Sequence, residues 1–100
     1  MPLNSDGTKV LYKPWVNTTK SRYKYFVYVK QDGKIKKIGF GDKNMEQYFD
    51  KLKYYKHLNH GDKNRQKSYL ARAKGIKNKQ GELTWKDKNT SNWWSIKTLW

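Results

Sequence analysis

Cysteine is absent from this sequence of 100 residues, and carboxylates, arginines and aliphatic side chains are scarce. Without cysteine the chain has no disulfide framework, no thiolate nucleophile and no cysteine-based zinc site. No apolar run approaches the ~20 residues that span a bilayer, and residues 1–7 lack the apolar stretch of a signal peptide. We therefore expect a protein without a membrane span that is used inside a cell or a particle.

Leucine, isoleucine, valine and phenylalanine together number only 18, which with a net charge of +15 is typical of disordered chains. Five tryptophans and eight tyrosines offset this shortage, because each large aromatic side chain buries roughly 150–250 Å². The composition therefore predicts a thin, aromatic-rich core and marginal stability.

The basic charge is carried mainly by lysine, which supplies 20 of the 23 cations against only eight carboxylates. Such a balance predicts attraction to polyanions or to acidic protein surfaces. Lysine is a flexible point charge, whereas arginine supplies the bidentate fork that reads guanine, so contact with nucleic acid would favour phosphate over sequence. An AT-rich genome, which enriches lysine, asparagine, tyrosine and isoleucine codons, is the alternative explanation for part of the excess.

Segment 22–40 carries the clearest local signal, an Asp32-Gly33 pair between two runs rich in aromatic and β-branched residues. Such a pair predicts a type I′ hairpin turn, which sets Tyr25 opposite Phe40. In that register one face of the hairpin is apolar and the other is basic. The apolar face holds Tyr23, Tyr25, Val27, Ile38 and Phe40. The basic face holds Lys24, Tyr28, Lys30 and Lys37.

Three helices are predicted after the hairpin. Apolar residues at helical spacing predict the first over about 44–56, Asp62 is the expected N-cap of the second over 63–74, and Ser91 or Asn92 that of the third over 92–100. Residues 1–20 lack a period and are expected to form an extended arm. The predicted fold class is therefore α+β: a β-hairpin packed against two or three short helices in a single small domain, 21–100, preceded by the arm.

Catalytic and metal-binding patterns are weak. His57-x-x-His60, with Asp50 and Asp62 nearby, fits neither the helical HExxH pattern nor a zinc-finger half-site, and loop histidines are the favoured interpretation. Gly39-Phe40-Gly41 lacks the Gly-Lys-Ser/Thr continuation of a phosphate loop, which favours a tight turn. We expect no enzyme, no metal, no cofactor and no small-molecule substrate.

Basic side chains of the hairpin and of the second helix are the candidates for contact with phosphate or with an acidic surface. They are Lys24, Lys37, Arg65, Lys67 and Arg72. Tyrosines between them can stack on bases, and the binding would be strongly salt-dependent. A solvated charged face produces the same sequence pattern, so both interpretations stay open.

Four stretches of the chain together resemble a family of small basic proteins encoded by nucleocytoplasmic large DNA viruses, the giant viruses. They are Ile38-Gly-Phe-Gly-Asp42, Tyr48, the run from His57 to Arg72 and the run from Thr90 to Trp100, which ends on the spacing Trp-x-x-x-x-Leu-Trp. The resemblance covers about residues 35–100. It implies a viral, non-enzymatic protein carried in the particle, and it supplies no catalytic residues.

These observations predict a minor capsid protein of a large icosahedral DNA virus, bridging or cementing neighbouring capsid subunits. Trp15, Trp93, Trp94 and Trp100 are the expected anchors in other capsid proteins, and core filling is the alternative for Trp93 and Trp94. The alternative function is a basic nucleic-acid-binding protein that organises viral double-stranded DNA through non-specific phosphate contacts. A host-directed factor is a third option. The expected location is the virion, after synthesis in the host cytoplasm or viral factory.

Overall fold

A three-stranded antiparallel sheet and two α-helices make up the α+β fold of the computed structural model, which describes residues 9–100. Residues 1–8 of the predicted arm lie outside the described part. The sheet has the strand order β1-β2-β3. The elements are β1 (Trp15–Val16), β2 (Tyr23–Gln31), β3 (Lys34–Asp42), a 3₁₀ helix (Lys56–Leu58), α1 (Lys63–Ala73), a second 3₁₀ helix (Thr84–Lys86) and α2 (Ser91–Leu99).

The hairpin has the predicted register. Gln31 pairs with Lys34 and Tyr25 with Phe40 across β2 and β3. The turn residues Asp32 and Gly33 have φ angles of 54° and 75°, the left-handed values that a type I′ turn requires at both central positions. The Asp-Gly signal therefore fixes the pairing of the whole hairpin.

The predicted division of the hairpin into an apolar and a basic face is wrong on the second face. β1, which lies within the segment expected to be an extended arm, pairs with β2 through Trp15 and Phe26. The Trp15 ring lies 4.7 Å from the Tyr28 ring and 5.9 Å from the Phe26 ring, and both partners are buried. Tyr23 also packs near Phe26, with a ring separation of 6.1 Å. An aromatic layer therefore covers part of the face expected to be basic.

The main core lies between the sheet and α2. Its buried members are Tyr25, Val27, Val29, Phe40, Trp94 and Leu99. α2 begins at the Thr90 cap, whose hydroxyl accepts the Trp93 N–H at 3.4 Å, one or two residues before the predicted cap. Aromatic rings supply most of the large buried side chains, as the composition predicts.

α1 begins and ends close to its predicted bounds. The Asp62 carboxylate accepts the N–H groups of Asn64 at 2.9 Å and Arg65 at 3.3 Å, which satisfies two donors that the first turn would otherwise leave unpaired. Among residues 9–100, neither α-helix is long and apolar enough to cross a membrane.

The helix predicted over 44–56 is absent, and this segment is irregular up to the 3₁₀ helix. The apolar stripe that suggested the helix points partly to solvent, since Met45 and Phe49 are exposed, whereas Gln47 and Asp50 are fully buried. The Asp50 carboxylate accepts the N–H of Leu52 at 2.8 Å. Such local side-chain bonds compete with helical backbone bonds, so polar burial overrides the apolar period.

A substitution at Gly41 tests how closely the hairpin packs against α2. It has a φ of 73°, and a Cβ there would lie 2.8 Å from Leu99 Cδ1 and 3.1 Å from Lys24 Cδ. We expect Gly41→Ala to lower the free energy of unfolding by about 2–4 kcal/mol, from backbone strain and overpacking together. Gly81→Ala is the matched control, because Gly81 has a φ of 80° and open space around it. Equal losses for both variants in urea unfolding would contradict the packing contribution.

Candidate functional site

A cleft of about 620 Å³ opens between α1, the open end of the β2–β3 hairpin and α2. Its volume lies in the range of roughly 300–1,000 Å³ that is usual for ligand sites. We call it the arginine cleft, because Arg22, Arg65 and Arg72, the only arginines of the chain, all line it. Three positions far apart in sequence thus converge on one concave surface.

α1 supplies one wall of the arginine cleft. Arg65, Ser68, Tyr69 and Arg72 line it, at the spacing i, i+3, i+4, i+7 that places residues on one helical face. The Tyr69 ring stacks on Trp100 at 4.0 Å with an interplanar angle of 6°. This stack joins α1 to the end of α2 and therefore fixes the position of the wall.

Two of the arginines lie over tyrosine rings on opposite walls. The Arg22 guanidinium carbon is 5.3 Å from the centre of the Tyr23 ring, and that of Arg72 is 5.8 Å from the Tyr69 ring. Both tyrosines also line the cleft. A guanidinium at this distance is attracted to the ring, and its N–H groups stay available for anions such as phosphate.

Two carboxylates, Asp42 and Glu46, also line the cleft. Glu46 forms an ion pair with Arg65 at 3.0 Å. Against the effect of burial, the charge of Asp42 attracts the buried Lys24 ammonium and raises its pKa. Arg22 and Arg72 have no carboxylate within salt-bridge distance in residues 9–100. The cleft therefore presents two uncompensated guanidiniums, beside the hydroxyls of Ser68, Ser91 and Ser95.

Lys24 is not available for phosphate contact, contrary to the sequence-based expectation. Its side chain is only 1% exposed, and its ammonium donates to the Met45 carbonyl at 2.7 Å and to Gln47 Oε1 at 2.5 Å. Burial lowers the pKa of Lys24, and the Asp50 and Asp42 carboxylates oppose this shift. The alternation of side chains along β2 predicts that Lys24 faces solvent. In the structure the segment that carries Met45 and Gln47 covers it.

Asp50 is the second buried centre of this region. Its carboxylate accepts the Tyr25 hydroxyl at 2.5 Å and the Tyr55 N–H at 2.9 Å. Burial and this hydrogen bond raise the pKa of Tyr25. Gln47 donates to the Tyr55 carbonyl at 2.9 Å and to Asn59 Oδ1 at 2.7 Å. These bonds tie the irregular segment to β2 beside the cleft.

The remaining predicted phosphate contacts are separate from each other. Arg65 and Arg72 line the cleft, whereas Lys67 is exposed on α1 but does not line it. Lys37 lies on the outer side of the sheet with its ammonium 4.5 Å from the Phe26 ring centre. Arg22 was not among the predicted contacts. The signal that could have identified it is the rarity of arginine, since the chain has only three.

The four predicted tryptophan anchors have intramolecular partners. Trp94 is 3% exposed in the core, so it fills the fold and cannot be a surface anchor. Trp15 covers β2, and Trp100 stacks on Tyr69. Trp93 is partly buried, with its ring 4.9 Å from that of Trp94 and from the Lys97 ammonium. Of the four predicted anchors, Trp15, Trp93 and Trp100 are partly exposed and stay open to a partner.

The histidine cluster is dispersed. His57 is exposed, while His60 Nδ1 accepts the Asp62 N–H at 2.9 Å, and Asp50 is buried in its own hydrogen bonds. No group of three or more histidines and acidic residues within 9–100 is arranged to hold a metal ion. The chemistry that the described site offers is the binding of anions by guanidiniums and hydroxyls.

No family model, curated protein or solved structure matches this chain. The resemblance to giant-virus proteins therefore stays a prediction, and the function is argued from the geometry of the site.

Alkaline pH tests the buried tyrosines. Burial raises the pKa of Tyr25, Tyr55 and Tyr69 above the ordinary value of 10.0. Above that pH the unfolded chain loses protons that the folded chain keeps, so the free energy of unfolding falls as pH rises, by up to about 1.4 kcal/mol per pH unit for each tyrosine. Lys24, with its lowered pKa, acts in the opposite direction below 10.5, so the decline should be clear above 10.5.

Urea unfolding in a series of alkaline buffers, together with tyrosinate absorbance of the folded protein, measures this effect. Tyr25→Phe is expected to make the decline shallower, because it removes a buried hydroxyl whose pKa is raised. A free energy of unfolding that stays constant above pH 10.5 would contradict the burial of these hydroxyls.

Proposed function

We propose that this chain is a non-enzymatic protein that binds nucleic acid through its phosphates, without reading the base sequence. The observation that carries the proposal is the convergence of all three arginines on one cleft. In a virus, the ligand would be the packaged genome, which the protein would condense or organise.

The charge of the chain supports a polyanionic ligand. The net charge is +15, and among residues 9–100 the one ion pair is that of Arg65 with Glu46. Nearly all of the cationic side chains are therefore free of a carboxylate partner within residues 9–100. When lysines and arginines neutralise the phosphates of a nucleic acid, they release the cations condensed around it, which is the main source of sequence-independent affinity.

The arginine cleft gives this general attraction a defined place. Arg22 and Arg72 are held by Tyr23 and Tyr69 on opposite walls, so a phosphodiester segment that enters the cleft meets a guanidinium on each side. Arginine forms bidentate hydrogen bonds with phosphate oxygens. The exposed lysines Lys34, Lys36 and Lys37 of β3 offer further point charges for neighbouring phosphates.

The prediction that tests this proposal compares two double variants with the same loss of charge. Arg22→Gln with Arg72→Gln is expected to weaken binding of a DNA oligonucleotide about tenfold or more at physiological salt. Lys13→Gln with Lys79→Gln, at exposed positions that do not line the cleft, should weaken it about threefold or less. Fluorescence anisotropy over a salt series should give a linear plot of log K against log salt, with a slope reduced by about 1–2 in the arginine variant.

Two results would overturn the proposal in different ways. Equal losses in both double variants would remove the cleft from the binding surface. Affinity that does not change with salt concentration, or no binding even at low salt, would remove the function itself.

We propose, as a second candidate function, a structural role as a minor capsid protein that bridges neighbouring subunits. The specific observation in its favour is a set of large apolar side chains left in solvent, among them Phe49 at 50% and Tyr54 at 61% exposure. Exposed apolar clusters are typical of protein interaction sites. In this candidate function, the exposed apolar side chains take the place of the core residue Trp94 as anchors. The proposed partners are still other capsid proteins.

The two candidates make opposite predictions for purified virus particles. A capsid component stays with the protein shell when the genome is released, digested with nuclease and washed at high salt, because apolar contacts resist screening. A genome-binding protein leaves with the nucleic acid under the same treatment. Mass spectrometry of the washed shell measures the outcome, and a protein lost in the first nuclease and salt wash would rule out the structural role.

A further inference from the structure

Three apolar side chains project into solvent from one short loop, residues 49–54. Phe49 is 50% exposed, Leu52 44% and Tyr54 61%. Single exposed apolar residues are ordinary in soluble proteins, but this chain is poor in aliphatic and phenylalanine side chains and leaves three large apolar groups out within six residues. We call this segment the Asp50 loop.

Hydrogen bonds to buried groups hold the backbone of the Asp50 loop in place. The buried Asp50 carboxylate accepts the N–H groups of Leu52 at 2.8 Å and Tyr55 at 2.9 Å, besides the Tyr25 hydroxyl. Its backbone is also joined to the end of α2, through Phe49 N–H to the Leu99 carbonyl at 3.1 Å. The exposed side chains are therefore presented by an ordered backbone, which reduces the ordering cost of binding.

The backbone of the loop includes an unfavourable conformation. Lys53 has a φ of 67°, a left-handed value that costs a residue with a side chain roughly 1–2 kcal/mol. The turn is closed by the Lys53 N–H, which donates to the Asp50 carbonyl at 3.1 Å. Such conformations persist where surrounding bonds impose them, and they cluster at functional sites.

The charges around the apolar side chains have one sign. Lys51, Lys53 and Lys56 are exposed in and beside the loop, and Asp50, the one carboxylate within 49–56, is buried. Exposed apolar side chains that alternate with exposed lysines along one loop are complementary to a protein surface with an apolar centre and acidic residues around it.

We propose that the Asp50 loop is a docking site for an acidic protein surface with an apolar centre, which receives Phe49, Leu52 and Tyr54. The proposal deepens the structural role above and rests on it only for the existence of a protein partner. The loop is distinct from Arg22 and Arg72, so the two surfaces can be altered separately.

The experiment selects peptides from a random phage-displayed library on the immobilised full chain. Enriched peptides are expected to combine several Asp or Glu residues with Leu, Phe or Trp. Synthetic copies of them should bind Phe49→Ser with Leu52→Ser about tenfold or more weakly than the unaltered chain. Ile35→Ser with Ile76→Ser is the matched control, since these side chains are 46% and 47% exposed elsewhere, and it should change affinity about twofold or less.

Two further variants separate the charge from the apolar contacts and from the arginine cleft. Lys53→Gln with Lys56→Gln should weaken peptide binding about threefold and reduce its salt dependence. Arg22→Gln with Arg72→Gln should leave it unchanged. Thermal unfolding of each variant, expected within a few degrees of the unaltered chain because the positions are exposed, verifies that the fold is intact.

The proposal is overturned when no peptide is enriched, when the enriched peptides lack acidic residues, or when the control variant weakens binding as much as the loop variant. Preferential loss of nucleic acid or anionic vesicle binding in the Phe49/Leu52 variant, with peptide binding retained, also overturns it. The particle experiment above reports separately on the structural role, because it does not involve the selected peptides.

Discussion

A buried polar cluster holds the irregular segment 43–60 onto the sheet, and both candidate surfaces depend on it. The Lys24 ammonium is bound by Gln47, and the Asp50 carboxylate is bound by the Tyr25 hydroxyl. Unpaired, each of these charges would cost several kcal/mol of burial, so the segment adopts the path that pairs them. In a chain with few aliphatic residues, these hydrogen bonds act together with the packing of Tyr55 against the core to select the conformation of the segment.

Elsewhere in the fold, lysine ammonium groups lie close to aromatic rings in cation–π contacts. Ammonium groups lie 4.5 Å from the Phe26 ring, 4.6 Å from Tyr12 and 4.9 Å from Trp93. The alkyl stems of lysine cover apolar surface while the charge stays in water, and the cation is attracted to the ring face. This pairing explains how a chain with a net charge of +15 retains a sheet built from tyrosine, phenylalanine and tryptophan. It also leaves the cations near the surface, where they can contact anions.

Local signals predict the elements that local physics determines. Asp32-Gly33 specifies the hairpin register through its left-handed turn, and Asp62 marks the start of α1, because both act within a few residues. The helix predicted over 44–56 fails because the partner of Asp50 is a tyrosine hydroxyl 25 positions away, which no periodicity contains. Likewise the α1 stripe shows Arg65 and Arg72 on one face, but their convergence with Arg22 on one cleft depends on the tertiary position of α1, where Tyr69 stacks on Trp100.

One segment builds parts of both surfaces, and its side chains separate them. Gln47 lines the arginine cleft and binds Lys24, whereas Phe49 and Leu52, two and five residues later, are exposed. Asp50 lies in the same segment, and its hydrogen bonds hold the backbone that carries both sets of side chains. A change at Asp50 therefore disturbs the cleft and the loop together, whereas changes at Arg72 or Leu52 reach only one surface. The two candidate surfaces are separable by substitution because both depend on Asp50 but have no binding side chain in common.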